Sequence, residues 1–95
     1  MKLLIVDDQQ ATLQGLAENI DWAGEGFQIV ETARNAMEAR LSFRRQEPDA
    51  MLCDIEMPVE TGIDLVRWVR EQGYETRVIF LTCHTEFRYA QEAIA

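Results

Sequence analysis

Lys2-Leu3-Leu4-Ile5-Val6, followed by Asp7-Asp8, is the stretch on which the reading of the fold turns. An apolar run without alternation is the pattern of a strand buried on both faces, and the charged pair marks where it emerges at a sheet edge. A second run of this kind, Ala50-Met51-Leu52-Cys53, also ends in an acid, Asp54. Between the two, the period changes. From Ala11 to Ile20 the apolar residues Leu13, Leu16, Ala17 and Ile20 keep the three-four spacing of one helical face. Trp22 to Gly26 supplies a turn, and Phe27-Gln28-Ile29-Val30-Glu31-Thr32 predicts a second strand rich in β-branched and aromatic residues.

Asn35 then caps a helix that turns Ala36, Ala39 and Phe43 inward, leaves Arg34, Arg40, Arg44 and Arg45 on a solvated face, and stops before Pro48. Thr61 and Gly62 open a third helix, with Leu65, Val66 and Val69 inward and Gly73 closing it. Val78-Ile79-Phe80-Leu81 reads as a fourth strand ending at Thr82, and Phe87, Ala90 and Ile94 begin a fourth helix. Strand and helix thus alternate with no internal repeat and no linker. The pattern predicts one α/β domain over residues 1–95, a three-layer, doubly wound parallel sheet with strand order 2-1-3-4.

Composition narrows the function. With 47% hydrophobic residues the chain has enough apolar material for a core, so disorder is excluded. A net charge of −8 repels phosphate backbones and anionic membranes, which argues against nucleic acid or a membrane as a partner of this domain. No apolar stretch approaches the ~20 residues that span a bilayer. Cys53 and Cys83 sit in apolar surroundings and no leader-like segment precedes the first strand, so a cytoplasmic location is expected.

Doubly wound sheets place their chemistry at the carboxyl ends of the strands, and here those ends carry Asp7 and Asp8, Asp54, and Thr82. With strands one and three adjacent, the three carboxylates converge. They must then take up protons or bind a cation. An all-oxygen site without histidine or cysteine at ligand spacing suits Mg²⁺ better than zinc. A carboxylate held beside the cation is placed to attack phosphorus. Cys83 and His84, adjacent in an extended segment, point to opposite sides and make a poor nucleophile and base, while Cys53 reads as a small core residue.

Asp7-Asp8 after strand one, Asp54 within Cys-Asp-Ile-Glu-Met-Pro, Gly62, and Thr82 after strand four together resemble the receiver domain of two-component response regulators. Asp21-Trp22 with Gly26-Phe27, and Glu86-Phe87 with Tyr89-Ala90, are similar to receivers joined to AraC-type DNA-binding domains. The resemblance implies a flavodoxin-like fold and a non-enzymatic signalling module in transcription regulation. Asp54 would accept a phosphoryl group from a sensor histidine kinase. Asp7, Asp8, Asp54 and the backbone carbonyl of Glu56 would hold Mg²⁺, and Thr82 would contact the phosphoryl group as the switch residue. Glu56, Cys83 and His84 would flank the pocket.

One departure from the family pattern is plain. Receivers carry a lysine at the end of a fifth strand, followed by a fifth helix, whereas the only lysine here is Lys2. The chain therefore reads as a receiver that stops before that strand and helix, with any DNA-binding output domain beyond it. Strand four would then be an open edge without charge or proline, from which self-association as a dimer or larger is expected. Two other functions compete: a receiver-derived interaction module without phosphorylation, and an aspartyl-nucleophile phosphohydrolase. The second carries Asp-x-Asp after its first strand, and residue 9 is Gln. A flavin or nucleotide site is disfavoured because the loop after strand one has two acids and no glycine.

Overall fold

Successive residues of β1 (Lys2–Val6) serve two different cores. Leu3 and Ile5 pack with Leu13 and Leu52, whereas Leu4 and Val6 pack with Ala33, Phe43, Met51 and Leu65. A strand so placed must be central, with helices on both faces. A computed structural model describes residues 1–81 of the chain. Within them β1 is followed by α1 (Gln10–Asn19), β2 (Ile29–Ala33), α2 (Ala36–Arg45), β3 (Ala50–Asp54), α3 (Gly62–Glu71) and β4 (Arg77–Leu81). All pairings are parallel and the strand order is β2-β1-β3-β4, as the alternation predicts. Leu13, Leu16 and Ala17 bring α1 to one face, and α2 and α3 share the other. Thr82, Cys83, His84 and the expected fourth helix (Phe87, Ala90, Ile94) lie outside the described residues.

Capping explains where α2 and α3 begin. The Asn35 side chain accepts from Glu38 N at 2.8 Å, and Thr61 and Asp64 form a reciprocal capping box. The aromatic rings of Phe43, Trp68 and Tyr74 close the gap between α2 and α3, with Phe43 edge-on to Trp68 at 5.8 Å.

Two details depart from the sequence pattern. The second strand starts at Ile29 rather than Phe27, because Gly26 turns at φ +95° and Phe27 N donates to Trp22 O at 2.8 Å instead of joining the ladder. Arg40 does not share the solvated face of Arg34, Arg44 and Arg45. Its guanidinium lies 5.5 Å from the centre of the Trp68 ring and pairs with Glu60.

The bottom of the sheet is held by polar contacts that periodicity does not reveal. Asp49 accepts from Lys2 N at 2.7 Å, donates its own N–H to Lys2 O, and accepts from Arg77 N, tying β1, β3 and β4 at their starts. Lys2 is 1% exposed. Its ammonium donates to the Ser42 and Gln46 carbonyls at the C-terminal end of α2 and pairs with Glu31 at 3.1 Å. The carbonyl end of a helix favours a cation, and the buried charge is fully coordinated.

Burial pushes the Glu31 carboxyl upward, but hydrogen bonds from Ser42, Lys2 and Arg45 outweigh it and hold the group below its ordinary value. A carboxylate depressed in the fold stabilises it above the unfolded value, and that contribution is lost as pH falls through the depressed one. Glu31→Gln should therefore lower stability by about 1–2 kcal/mol at neutral pH. The difference from the parent chain should shrink as pH falls below the ordinary carboxylate range, as read by urea unfolding across a pH series.

Candidate metal and phosphoryl site

The β1–β3 register places Val6 opposite Cys53, so Asp7, just past β1, and Asp54, the last residue of β3, stand side by side at the carboxyl end of the sheet. Asp8 comes one residue later. Carboxylate oxygens of Asp7, Asp8 and Asp54 all lie within 4.8 Å of one another. The three acids singled out in the sequence are thus brought together. Glu56 lies two residues beyond Asp54, exposed between buried Ile55 and Met57.

Asp7 is held from two sides. Its N–H continues the β1–β2 ladder to Ala33 O at 3.1 Å, and its carboxylate accepts from Gln9 N at 2.8 Å, which also leads the chain into α1. Burial pushes the Asp7 carboxyl above its ordinary range; the Gln9 hydrogen bond pulls it back, and the neighbouring Asp8 charge adds to the rise. Its ionised form therefore strains the fold more as pH rises through that elevated value. A bound cation would relieve that strain. The donors are hard oxygens and no imidazole or thiolate joins them among the described residues, a set suited to Mg²⁺ rather than to zinc.

Cys53 is adjacent but inert. Burial first, then the charges of Asp54 and Asp7, pushes its thiol up to about 12. Its Sγ–H donates to Asp54 O at 3.3 Å, and the side chain belongs to the α2–α3 core as the sequence indicates.

The segment from Ile55 to Thr61 leads from β3 into α3 and is folded back by a hydrogen bond from Gly62 N to Ile55 O at 2.7 Å. Gly62 is indispensable to this turn for a steric reason: a Cβ there would sit 2.2 Å from Asp54 O and 3.0 Å from Ile55 Cα. Val59, at the tip, has φ +70° and a fully exposed side chain. A β-branched residue in the left-handed region carries strain of about 1–3 kcal/mol. Nothing in the sequence signals this, since neither glycine nor asparagine stands there. Pro58, Val59 and Glu60 form one wall of a half-open groove of about 310 Å³, lined on the other side by Arg34, Asn35, Ala36 and Met37, and opening on Asp8.

Residues 3–95 match the family described as the response regulator receiver domain. The chain belongs to that family. Among curated relatives of the receiver, an uncharacterized transcriptional regulatory protein, YesN, of Bacillus subtilis (strain 168) is 31% identical over 98% of this chain and 25% of its own length. The transcriptional regulatory protein HptR of Staphylococcus aureus (strain NCTC 8325 / PS 47) is 29% identical over 98% of this chain and 36% of its own. The receiver thus spans about a quarter to a third of such relatives. Among solved structures, the REC domain of AraT, a response regulator from Geobacillus stearothermophilus, superposes with a TM-score of 0.86 at 35% identity, covering 98% of this chain and 72% of that one. A two component transcriptional regulator AraC from Clostridium phytofermentans ISDg gives a TM-score of 0.90 at 30% identity, with the same coverage of both chains. These bear out the flavodoxin-like receiver fold and the likeness to AraC-type regulators. No helix among the described residues is long and apolar enough to cross a membrane.

Because any side chain at residue 62 meets the Asp54 backbone, Gly62→Ala should displace β3's end and destabilise the receiver by about 2–3 kcal/mol. Denaturant unfolding measures it; a loss no larger than that of an ordinary helix-entry glycine would contradict the steric account.

Proposed function

We propose that this receiver takes a phosphoryl group onto Asp54 from the phosphohistidine of a sensor histidine kinase, with Mg²⁺ as cofactor, and thereby switches a transcriptional output. The observation that carries the reading is the convergence of Asp7, Asp8 and Asp54 within 4.8 Å at the paired ends of β1 and β3, in a chain of this family. Asp7, Asp8, Asp54 and the Glu56 backbone carbonyl would hold Mg²⁺. Bound there, the cation would offset the charge of the carboxylates and of the incoming phosphoryl oxygens.

This chain's own groups do the rest. An Asp54 carboxylate oxygen attacks phosphorus and forms the O–P bond, while the N–P bond of the phosphohistidine breaks and its electron pair returns to the imidazole. Asp7, whose carboxylate accepts from Gln9 N, is held in place beside that oxygen. Thr82 would hydrogen-bond the phosphoryl group and act as the switch, with Glu56, Cys83 and His84 flanking the pocket; residues 82–84 lie outside the described ones. Lys2 has no part in this chemistry, because it is buried at the opposite end of β1 among Glu31, Ser42 and Gln46. A transcriptional output fits relatives described as transcriptional regulatory proteins, of which the receiver is one portion.

With Mg²⁺ and phosphoramidate, which donates from nitrogen as phosphohistidine does, the protein should gain one phosphoryl group by intact mass. Asp54→Asn should abolish the gain, and undiminished labelling of that variant would overturn the assignment.

The same reading includes self-association through β4. Ile79 is 58% exposed on this strand, one of the two outer strands of the sheet among the described residues. A second copy would cover it, and two such strands about a twofold axis pair antiparallel. Sedimentation over a dilution series should show a dimer that Ile79→Lys weakens. A parent chain that stays monomeric at the highest concentration would exclude the contact.

A further inference from the structure

Arg40 stands where three parts of the fold meet. It follows Ala36 by four residues and precedes Phe43 by three, so it lies on the inward side of α2. Its guanidinium covers the Trp68 ring of α3 and pairs with Glu60 of the loop between β3 and α3. Its Nε is buried without a hydrogen-bond partner. A guanidinium that gives up water on one nitrogen, stacks on an aromatic face and spends another nitrogen on a single carboxylate is held in one place.

What it holds is the strained part of the site. Glu60 directly follows Val59, whose left-handed backbone is unfavourable for a β-branched residue. Left to itself the loop tip would relax toward ordinary φ values. Pro58, Val59 and Glu60 are also the groove wall that faces Asp8, and the loop runs back through Glu56 to Asp54. The described contacts of Arg40 are with Trp68 and Glu60, so its route to the acids runs through the loop.

We propose that Arg40 is a positioning residue for the acidic pocket: by anchoring Glu60 it holds the 55–61 loop closed against the strain at Val59, and so keeps the Glu56 carbonyl and the wall beside Asp8 where cation binding needs them. This rests on the reading of Asp7, Asp8 and Asp54 as a Mg²⁺ site. It differs from a packing role in that glycine, which accepts the left-handed conformation freely, should make the anchor unnecessary.

The experiment is a Mg²⁺ titration followed by backbone amide shifts, with thermal unfolding recorded for each variant. Arg40→Gln should weaken Mg²⁺ binding by about fivefold at temperatures where it is fully folded. Adding Val59→Gly to that variant should restore the affinity without restoring the Arg40–Trp68 contact. Glu60→Gln removes the same anchor from the partly exposed side, and should reproduce the loss even where Arg40→Gln folds poorly. An affinity changed by less than about twofold in both anchor variants would overturn the proposal and leave Arg40 a packing residue. A loss that Val59→Gly fails to reverse would overturn it as well, because the route through loop strain would be wrong. A parent chain that binds no Mg²⁺ would instead overturn the underlying metal reading, and this inference with it.

Discussion

The pairing of β1 with β3 is the constraint on which the site depends. Both strands are buried on both faces, so polarity alternation does not choose their register as it does in a half-exposed sheet. Polar groups at the two ends choose it instead. At the start, Asp49 grips the Lys2 backbone with both its carboxylate and its N–H. At the far end the strands run out together into Asp7 and Asp54. A slip by one residue would break the first contact and separate the second pair.

Much of this was legible in the sequence, for identifiable reasons. Buried parallel strands announce themselves as unbroken apolar runs, and the acid after each run marks the edge where a site can form. Asn35 and Thr61 name helix starts because a short oxygen-bearing side chain satisfies free backbone N–H groups there. The less legible features are those in which a residue acts against its type. The opening run reads as buried without showing what its one charge meets, and Lys2 is held inside because α2's last carbonyls and Glu31 accept from its ammonium. Arg40 sits at inward spacing, yet a charged residue there reads as surface until its partner, twenty positions on, is known. The second strand begins late because the conformation of Gly26, three residues before it, sends Phe27 back to Trp22.

The acidic pocket is a place where the fold tolerates local disadvantage. Asp7 is buried beside like charge, Val59 is twisted into a conformation its side chain resists, and Gly62 leaves no room for a Cβ against Asp54. Stabilising contacts surround these defects without removing them: the Asp49 and Lys2 network below, the capping box of α3 behind, the aromatic cluster between α2 and α3. Strain concentrated at one end of a sheet, with rigid support at the other, is the arrangement expected of a site that must respond to a charged ligand.

The burial of Lys2 has a consequence for how this stretch of protein meets its chemical surroundings. Across these 95 residues it is the only ε-amine, and it is 1% exposed and engaged by three acceptors. An acetyltransferase, a ubiquitin ligase or an amine-directed cross-linker has no side chain to reach within the folded receiver. While folded, the surface is covered in carboxylates and guanidinium groups but silent to lysine chemistry, so an amine modification found at residue 2 would report a chain that had opened.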